Sequence, residues 1–289
     1  AMEDLEKLPL LAETIQISQP DQVFKPREII SYSNYGSALA AYIIHELSGE
    51  RFFDYERENI FFPLEMEKIA GHPLYKYNPN LIANKAKGYI SEKEGVFKEK
   101  GWVYVPAYPS GSADGTATAL AKFAIALTPE KPLESPLFKT QEAFEELFKK
   151  SYFPENIETS VAHGFWEYGG DITSFGHSGN TGGFTSFFSV NPENRVGLVV
   201  LLNSGEETDL IFEIQELIYG NIVKEKGVVL KTPSVKEVSG RYLPSRSPQN
   251  NFLQLFSFLS SYKISEYDDG EIKLTIPGHE ALYYQVSPY

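Results

Sequence analysis

The chain has 289 residues, 42% of them hydrophobic, which suffices for one large domain with an extension or for two modest ones. Its 39 Asp and Glu against 26 Lys and Arg give a formal charge of -13, a surface that repels phosphate backbones and anionic lipid headgroups, so no nucleic-acid partner is expected. There is no cysteine, which excludes thiol catalysis, cysteine-based zinc sites and disulfides.

The chain opens AlaMetGluAspLeuGluLysLeu, with no basic region followed by an apolar run, so no signal peptide is expected in it. No stretch approaches the roughly 20 apolar residues of a membrane-spanning helix. Residues 1–30 read as an acidic lead-in with Pro20 and Pro26. A helix is predicted from Asn34, with Leu39, Tyr42, Ile43 and Leu47 as one buried stripe and Gly49 as the residue that ends it. A second short helix follows over 51–59, stopped by Pro63. Residues 70–114, rich in Gly, Pro, Asn and Tyr, read as long irregular excursions of the kind that carry function.

Helices are predicted over 116–128 and 138–151. The period then changes, and strands are predicted over 160–168, 172–177, 183–190 and 195–202, separated by GlyGlyAsp, AsnThrGly and AsnProGluAsn turns. A helix over 206–223 should pack back on that antiparallel meander. Helices first, then a meander closed by a helix, make an α+β fold with an antiparallel sheet covered by helices. ThrProSerValLys at 232–236 reads as a linker. The expected division is therefore a main domain over 1–230 and a small β-rich unit over 231–289, with one helix at 249–260 and a last strand in AlaLeuTyrTyrGlnValSerProTyr.

Two short patterns could carry chemistry. Tyr32-Ser33-Asn34 stands at a loop-to-helix junction, and His177-Ser178-Gly179, followed by Asn180, stands at the end or edge of a strand. Taken singly, each has a plain structural alternative. Tyr32 could be an aromatic anchor with Asn34 as the N-cap of its helix, and His177 a strand-edge histidine in a Gly-rich turn. Trp102, Tyr104 and Tyr108 either line a cleft or pack an irregular loop. Paired carboxylates have no patterned context, the five histidines lack His-x-x-x-His spacing, and no Gly-rich phosphate loop precedes a helix. Neither a metal nor a cofactor is expected.

The text around these patterns is more specific. SerTyrSerAsnTyrGly, the AlaLeuAlaAlaTyrIleIleHisGluLeu helix, Phe52-x-x-Tyr55-x-x-x-Asn59-Ile60-Phe61-x-Pro63-Leu64-x-Met66, the 109–123 segment, HisSerGlyAsnThrGlyGlyPhe and GlyLeuValValLeuLeuAsnSer form an ordered string over about 22–223. It resembles the serine β-lactamase and penicillin-binding-protein-like family, class C β-lactamases and DD-peptidases above all. Glu65 departs from it, standing where glycine is more usual. The resemblance implies acyl transfer through a serine ester on a peptide, a β-lactam or a small ester. It makes Tyr32 the general base and acid, which needs a cation nearby, and Asn34 a hydrogen-bonding partner of lysine and substrate. His177 would hold a substrate carboxylate or the charge developing in the cleft, and the Asn180 N–H would be an oxyanion donor. Ser178, Gly179 and Trp102 would bind substrate. The family suggests an extracellular or cell-envelope setting.

The nucleophile itself is the exception. In the family a Ser-x-x-Lys turn precedes Tyr-x-Asn, whereas Ser18 is the one serine before Ser31 and has no lysine three residues on. The sole Ser-x-x-Lys is Ser260-Ser261-Tyr262-Lys263, in the wrong order. The expectation is an N-terminally truncated scaffold, inactive alone, with an apolar seam that invites self-association or a complementing N-terminal fragment. A non-catalytic binder of peptidoglycan-like peptides is the alternative.

Overall fold

The computed structural model describes residues 8–75, 78–93, 95–153, 157–158, 160–221, 235–268 and 271–284. The chain divides into two compact units, one of Ala1–Pro20 with Ser33–Ile222, the other of Asp21–Tyr32 with Val223–Tyr289.

In the first unit α1 (Leu11–Ile17) precedes α2 (Asn34–Ser48), whose N-cap is Ser33, its hydroxyl accepting from the Gly36 N–H at 3.1 Å. The cap is thus Ser33 rather than Asn34. Gly49 ends the helix in the left-handed conformation at φ 73°, as its position predicts. The expected buried stripe is not the buried one. Ala38 and Ala41 are buried, while Ile43 and Leu47 are 49% and 83% exposed. Periodicity marks faces without saying which one meets a neighbour, and α2 packs through its small residues against α1, α3 (Phe52–Glu56) and a 3-10 turn at Tyr108–Ser110. After α3 the chain passes through a π-helical turn, Arg57–Phe61.

The region read as irregular contains β1 (Ile69–Ala70), a single turn α4 (Asn80–Ala83) and an antiparallel hairpin of β2 (Gly88–Lys93) and β3 (Val96–Lys100). Strand alternation could not reveal this hairpin, because every described residue of β3 is exposed and charges fall on both faces. β1 pairs with β4 (Asp114–Gly115), and α5 (Ala117–Leu127) follows, capped by the Thr116 hydroxyl. α6 (Gln141–Phe148) is capped in the same way by Thr140. A short pairing of β5 (Tyr152–Phe153) with β6 (Ile157–Glu158) comes next.

The main sheet has β10–β9–β8–β7 order, all antiparallel, from β7 (Trp166–Tyr168), β8 (Ser174–Thr181), β9 (Phe184–Asn191) and β10 (Val196–Leu202). The expected strand over 160–168 is regular only at its end, with an isolated bridge from Val161 to Trp166. α7 (Thr208–Tyr219) closes the unit. Its position explains why β9 is buried along nearly its whole length, polar Thr185, Ser189 and Asn191 included: both faces are covered. Phe188 and Val190 meet Ala124 and Leu127 of α5, while Phe187 meets Ile211 of α7. Phe187 also packs edge-on against Tyr168 and Phe212, at 5.1 and 5.8 Å between ring centres.

The second unit holds one turn of helix α8 (Val235–Val238), β11 (Gly240–Tyr242), α9 (Gln254–Ser257) running into a 3-10 turn, and β12 (Tyr262–Asp268), β13 (Glu271–Ile276) and β14 (His279–Tyr284) in an antiparallel β11–β12–β13–β14 sheet. The greater part of the expected linker, 232–234, and the last five residues of the expected final strand lie outside the described residues.

Candidate active site

β8 carries the histidine motif before its end, since the strand runs on to Thr181, but past Gly176 it pairs with β9 alone among the described residues, so His177–Asn180 lie along a sheet edge. A Cβ at Gly176 would overlap the Phe188 carbonyl oxygen, so glycine there lets β8 close on β9 one residue before His177. Cross-strand register sets His177 opposite Phe188, Ser178 opposite Phe187 and Gly179 opposite Ser186. His177 Nδ1 lies 2.6 Å from the Ser178 carbonyl oxygen. A carbonyl only accepts, so in this contact Nδ1 carries a proton and donates it. Ser178 also hydrogen-bonds the Tyr168 phenol, whose pKa is raised by burial and drawn partly back by that bond.

The strand ends in a two-residue turn in which Gly183 takes φ 92°. Its carbonyl accepts from Tyr89 N–H at 3.2 Å, Tyr89 N–H also reaches the Asn203 carbonyl at 2.9 Å, and the Tyr89 carbonyl accepts from Gly205 N–H at 2.8 Å. The start of β2 is thereby fixed across the end of the sheet. Asn180 Oδ1 accepts from the Glu206 N–H at 3.4 Å. Val103 and Lys100 lie beside Gly182, so the segment that bears Trp102 forms a wall at the turn following His177–Asn180.

Trp102 is itself held from behind. Its indole N–H donates to the Ala86 carbonyl at 3.1 Å, and Lys85 Nζ lies 5.2 Å from its ring centre. Lys85 is a buried cation, its side chain 10% exposed, paired with Asp114 at 2.8 Å and donating to the Tyr75 hydroxyl at 2.9 Å. The Tyr75 hydroxyl also donates to Asp114, and Tyr104 flanks the ammonium at 5.4 Å. Burial first, then the Asp114 bond, pushes the Tyr75 phenol above its ordinary range. No local pattern marks this cluster, because Lys85 lies among neighbours that read as a solvated loop.

The other two predicted residues, Asn34 and Tyr32, fall in the first and the second unit respectively. Asn34, exposed at the start of α2, makes no side-chain hydrogen bond among the described residues. Tyr32 ends the stretch that belongs with the C-terminal unit, and its ring lies under the Arg246 guanidinium at 5.0 Å. A cavity of about 750 Å³ in the first unit is lined by Phe53, Phe61, Met66, Ile69, His72 and Tyr75 among others, none of them a predicted site residue. His72 packs between Phe53 and Tyr108, 4.5 Å from each ring centre, and burial lowers its pKa to about 4. Glu56, beside Gly71, is raised by burial to about 7. Among the described residues no three His, Asp or Glu could hold a metal, and no helix is long and apolar enough to cross a membrane.

A family model described as Beta-lactamase matches residues 8–216. The chain belongs to the β-lactamase family. The fold of this family member is similar to that of the octameric penicillin-binding protein homologue from Pyrococcus abyssi, at 21% identity over 96% of this chain and 60% of that one, TM-score 0.59. It is also similar to the D-amino acid amidase of Ochrobactrum anthropi SV3, at 24% identity over 71% and 59%, TM-score 0.56. The penicillin binding protein of Bacillus halodurans matches at 21% identity over 73% and 64%, TM-score 0.59. The chain thus spans less than two thirds of the length of each. No curated protein matches it. The α+β fold and the family expected from the motif string both hold.

Proposed function

We propose that this β-lactamase-family chain supplies the second and third motifs of a serine acyl-transfer site acting on a peptide, a β-lactam or a small ester. Tyr32 moves the proton, Asn34 hydrogen-bonds substrate, His177 faces the substrate carboxylate and the Asn180 N–H donates to the oxyanion. Ser178, Gly179 and Trp102 line the substrate. The observation that carries this reading is the strand itself: β8 holds His177 through Asn180 in fixed register, with the Trp102 segment walling the turn beyond.

Residues 1–289 by themselves form no acyl-enzyme in this proposal. A nucleophilic serine needs a neighbouring base, and Ser260 ends a 3-10 turn while Lys263 sits on β12, so the two do not share a helical turn. The complementary fragment would be a polypeptide bearing Ser-x-x-Lys. Intact-mass analysis after incubation with penicillin should show no adduct, and nitrocefin should not turn over. A serine adduct, or turnover abolished by Tyr32→Phe, would overturn the inactivity. The chain also self-associates in this reading, which the octameric Pyrococcus abyssi homologue supports. Sedimentation at micromolar concentration tests that.

A further inference from the structure

The C-terminal unit contains a helical segment built inside out. Over Phe252–Leu259, Phe252, Leu255, Phe256 and Leu259 fall at i, i+3, i+4 and i+7, one face of the helical path. With Leu253 and Phe258 they are each between 44% and 74% exposed. The side chains turned inward are small and polar: Ser257 and Ser261 are buried, and the Ser261 hydroxyl accepts from Arg241 at 3.2 Å. An ordinary surface helix shows the reverse pattern. Six large apolar side chains so exposed leave on the order of 700 Å² in water, more than a monomer ordinarily shows in one patch. That area is about what each partner contributes to a stable interface.

We propose that this stripe is an interface with a second copy of the same chain, packed against its own equivalent about a two-fold axis. The charge pattern selects that occupant. Residues 249–262 contain no Asp, Glu, Lys, Arg or His, within a chain of net charge -13. Two copies repel across most of their surface, and an uncharged apolar face is where they approach at least cost. Such a face is also self-complementary, as a two-fold interface requires. Nothing charged is offered to a partner of opposite sign or to an anionic bilayer. The inference rests on the self-association given under the proposed function and names its surface, which is not the Ile43 and Leu47 face of α2.

The test uses the full chain and a variant with both Leu255→Glu and Leu259→Glu. Sedimentation velocity from 1 to 50 µM should show the wild type associating and the variant at least a hundredfold weaker, with an unchanged far-ultraviolet spectrum. The chain lacks cysteine, so Phe256→Cys alone provides a second reading: mild oxidation should give a covalent dimer in high yield. An oligomer that survives the double variant, with no dimer from the cysteine, would overturn this interface and leave self-association standing. A wild type monomeric throughout would overturn both. A monomer that co-sediments with neutral phosphatidylcholine vesicles through the stripe would make its partner lipid and overturn the inference.

Discussion

The guanidinium of Arg246 lies over the Tyr32 ring, 5.0 Å from its centre. Beside it the Ser245 hydroxyl donates to the Ile30 carbonyl at 2.7 Å, and Asn250 donates to the Asp21 carboxylate at 2.5 Å. The stretch 21–32 is therefore tied near both of its ends to the C-terminal unit, and the Tyr-x-Asn motif straddles the division between units. Exposed cation–ring contacts stabilise by about 0.5–1 kcal/mol. Arg246→Ala should therefore speed amide exchange at residues 27–32 by a few-fold without changing the rest of the chain. Unchanged exchange there would mean that the ring is held by other contacts.

Glu65 adopts φ 53°, in the left-handed region. The family resemblance flags this position because glycine is more usual there, and the backbone supplies the reason: a Cβ in that conformation costs about 1 kcal/mol. Lys122 donates to the Glu65 carbonyl at 2.6 Å, a contact that glycine would keep, and the 3.8 Å pair with the carboxylate is exposed and of little worth. Glu65→Gly should raise the melting temperature by about 2–4 °C. A fall would show that the carboxylate matters more than the backbone.

Lys85 is the strongest candidate for a residue that positions the Trp102 wall. Lys85→Met would leave the Asp114 carboxylate with Tyr75 but no cation, and breaking a buried pair from one side is costly. Asp114 keeps some solvent contact, so about 2–3 kcal/mol is expected. Trp102 and Trp166 are the two tryptophans. In a Trp166→Phe background the emission of Trp102 should shift on Lys85→Met and return with Lys85→Arg. Emission indifferent to the charge would detach Lys85 from the wall.

Legibility followed physical cause. Elements defined by burial on known faces were readable: the β8–β9–β10 meander and α7 appear near their expected bounds, because apolar period and turn residues encode them locally. The ordered motif string identified the family where single triplets could not. Features decided by distant partners were hidden. α2 buries alanines because small side chains let its neighbours approach closely. β3 and the outer half of β2 are exposed and charged, so no alternation marks the hairpin. Lys85 and Asp114 are 29 residues apart along the chain and gain meaning only through folding. Arg246 over Tyr32 depends on a chain reversal that no local pattern encodes.

The pair Glu56 and His72 predicts a concealed pH dependence. Burial holds the Glu56 carboxyl at about 7 against an ordinary 4.5. Between those values the unfolded chain ionises while the folded chain keeps its proton, so stability falls as pH rises through the window, by on the order of 3 kcal/mol. Burial, aided by Arg51, holds His72 at about 4 against an ordinary 6.5. There the unfolded chain gains a proton that the folded one refuses, so stability falls as pH drops through that window, by less than for Glu56 because the His72 ring keeps solvent contact that screens it. The two slopes oppose each other from about pH 4.5 to 6.5, so the wild-type melting temperature should vary less there than either group alone would make it. Glu56→Gln removes one slope. The variant should melt above the wild type at pH 8 and lose that advantage on acidification to pH 4.5, where the His72 penalty stands alone. Parallel melting curves for the two proteins across pH 4.5–8 would show that the Glu56 carboxyl does not titrate in this window.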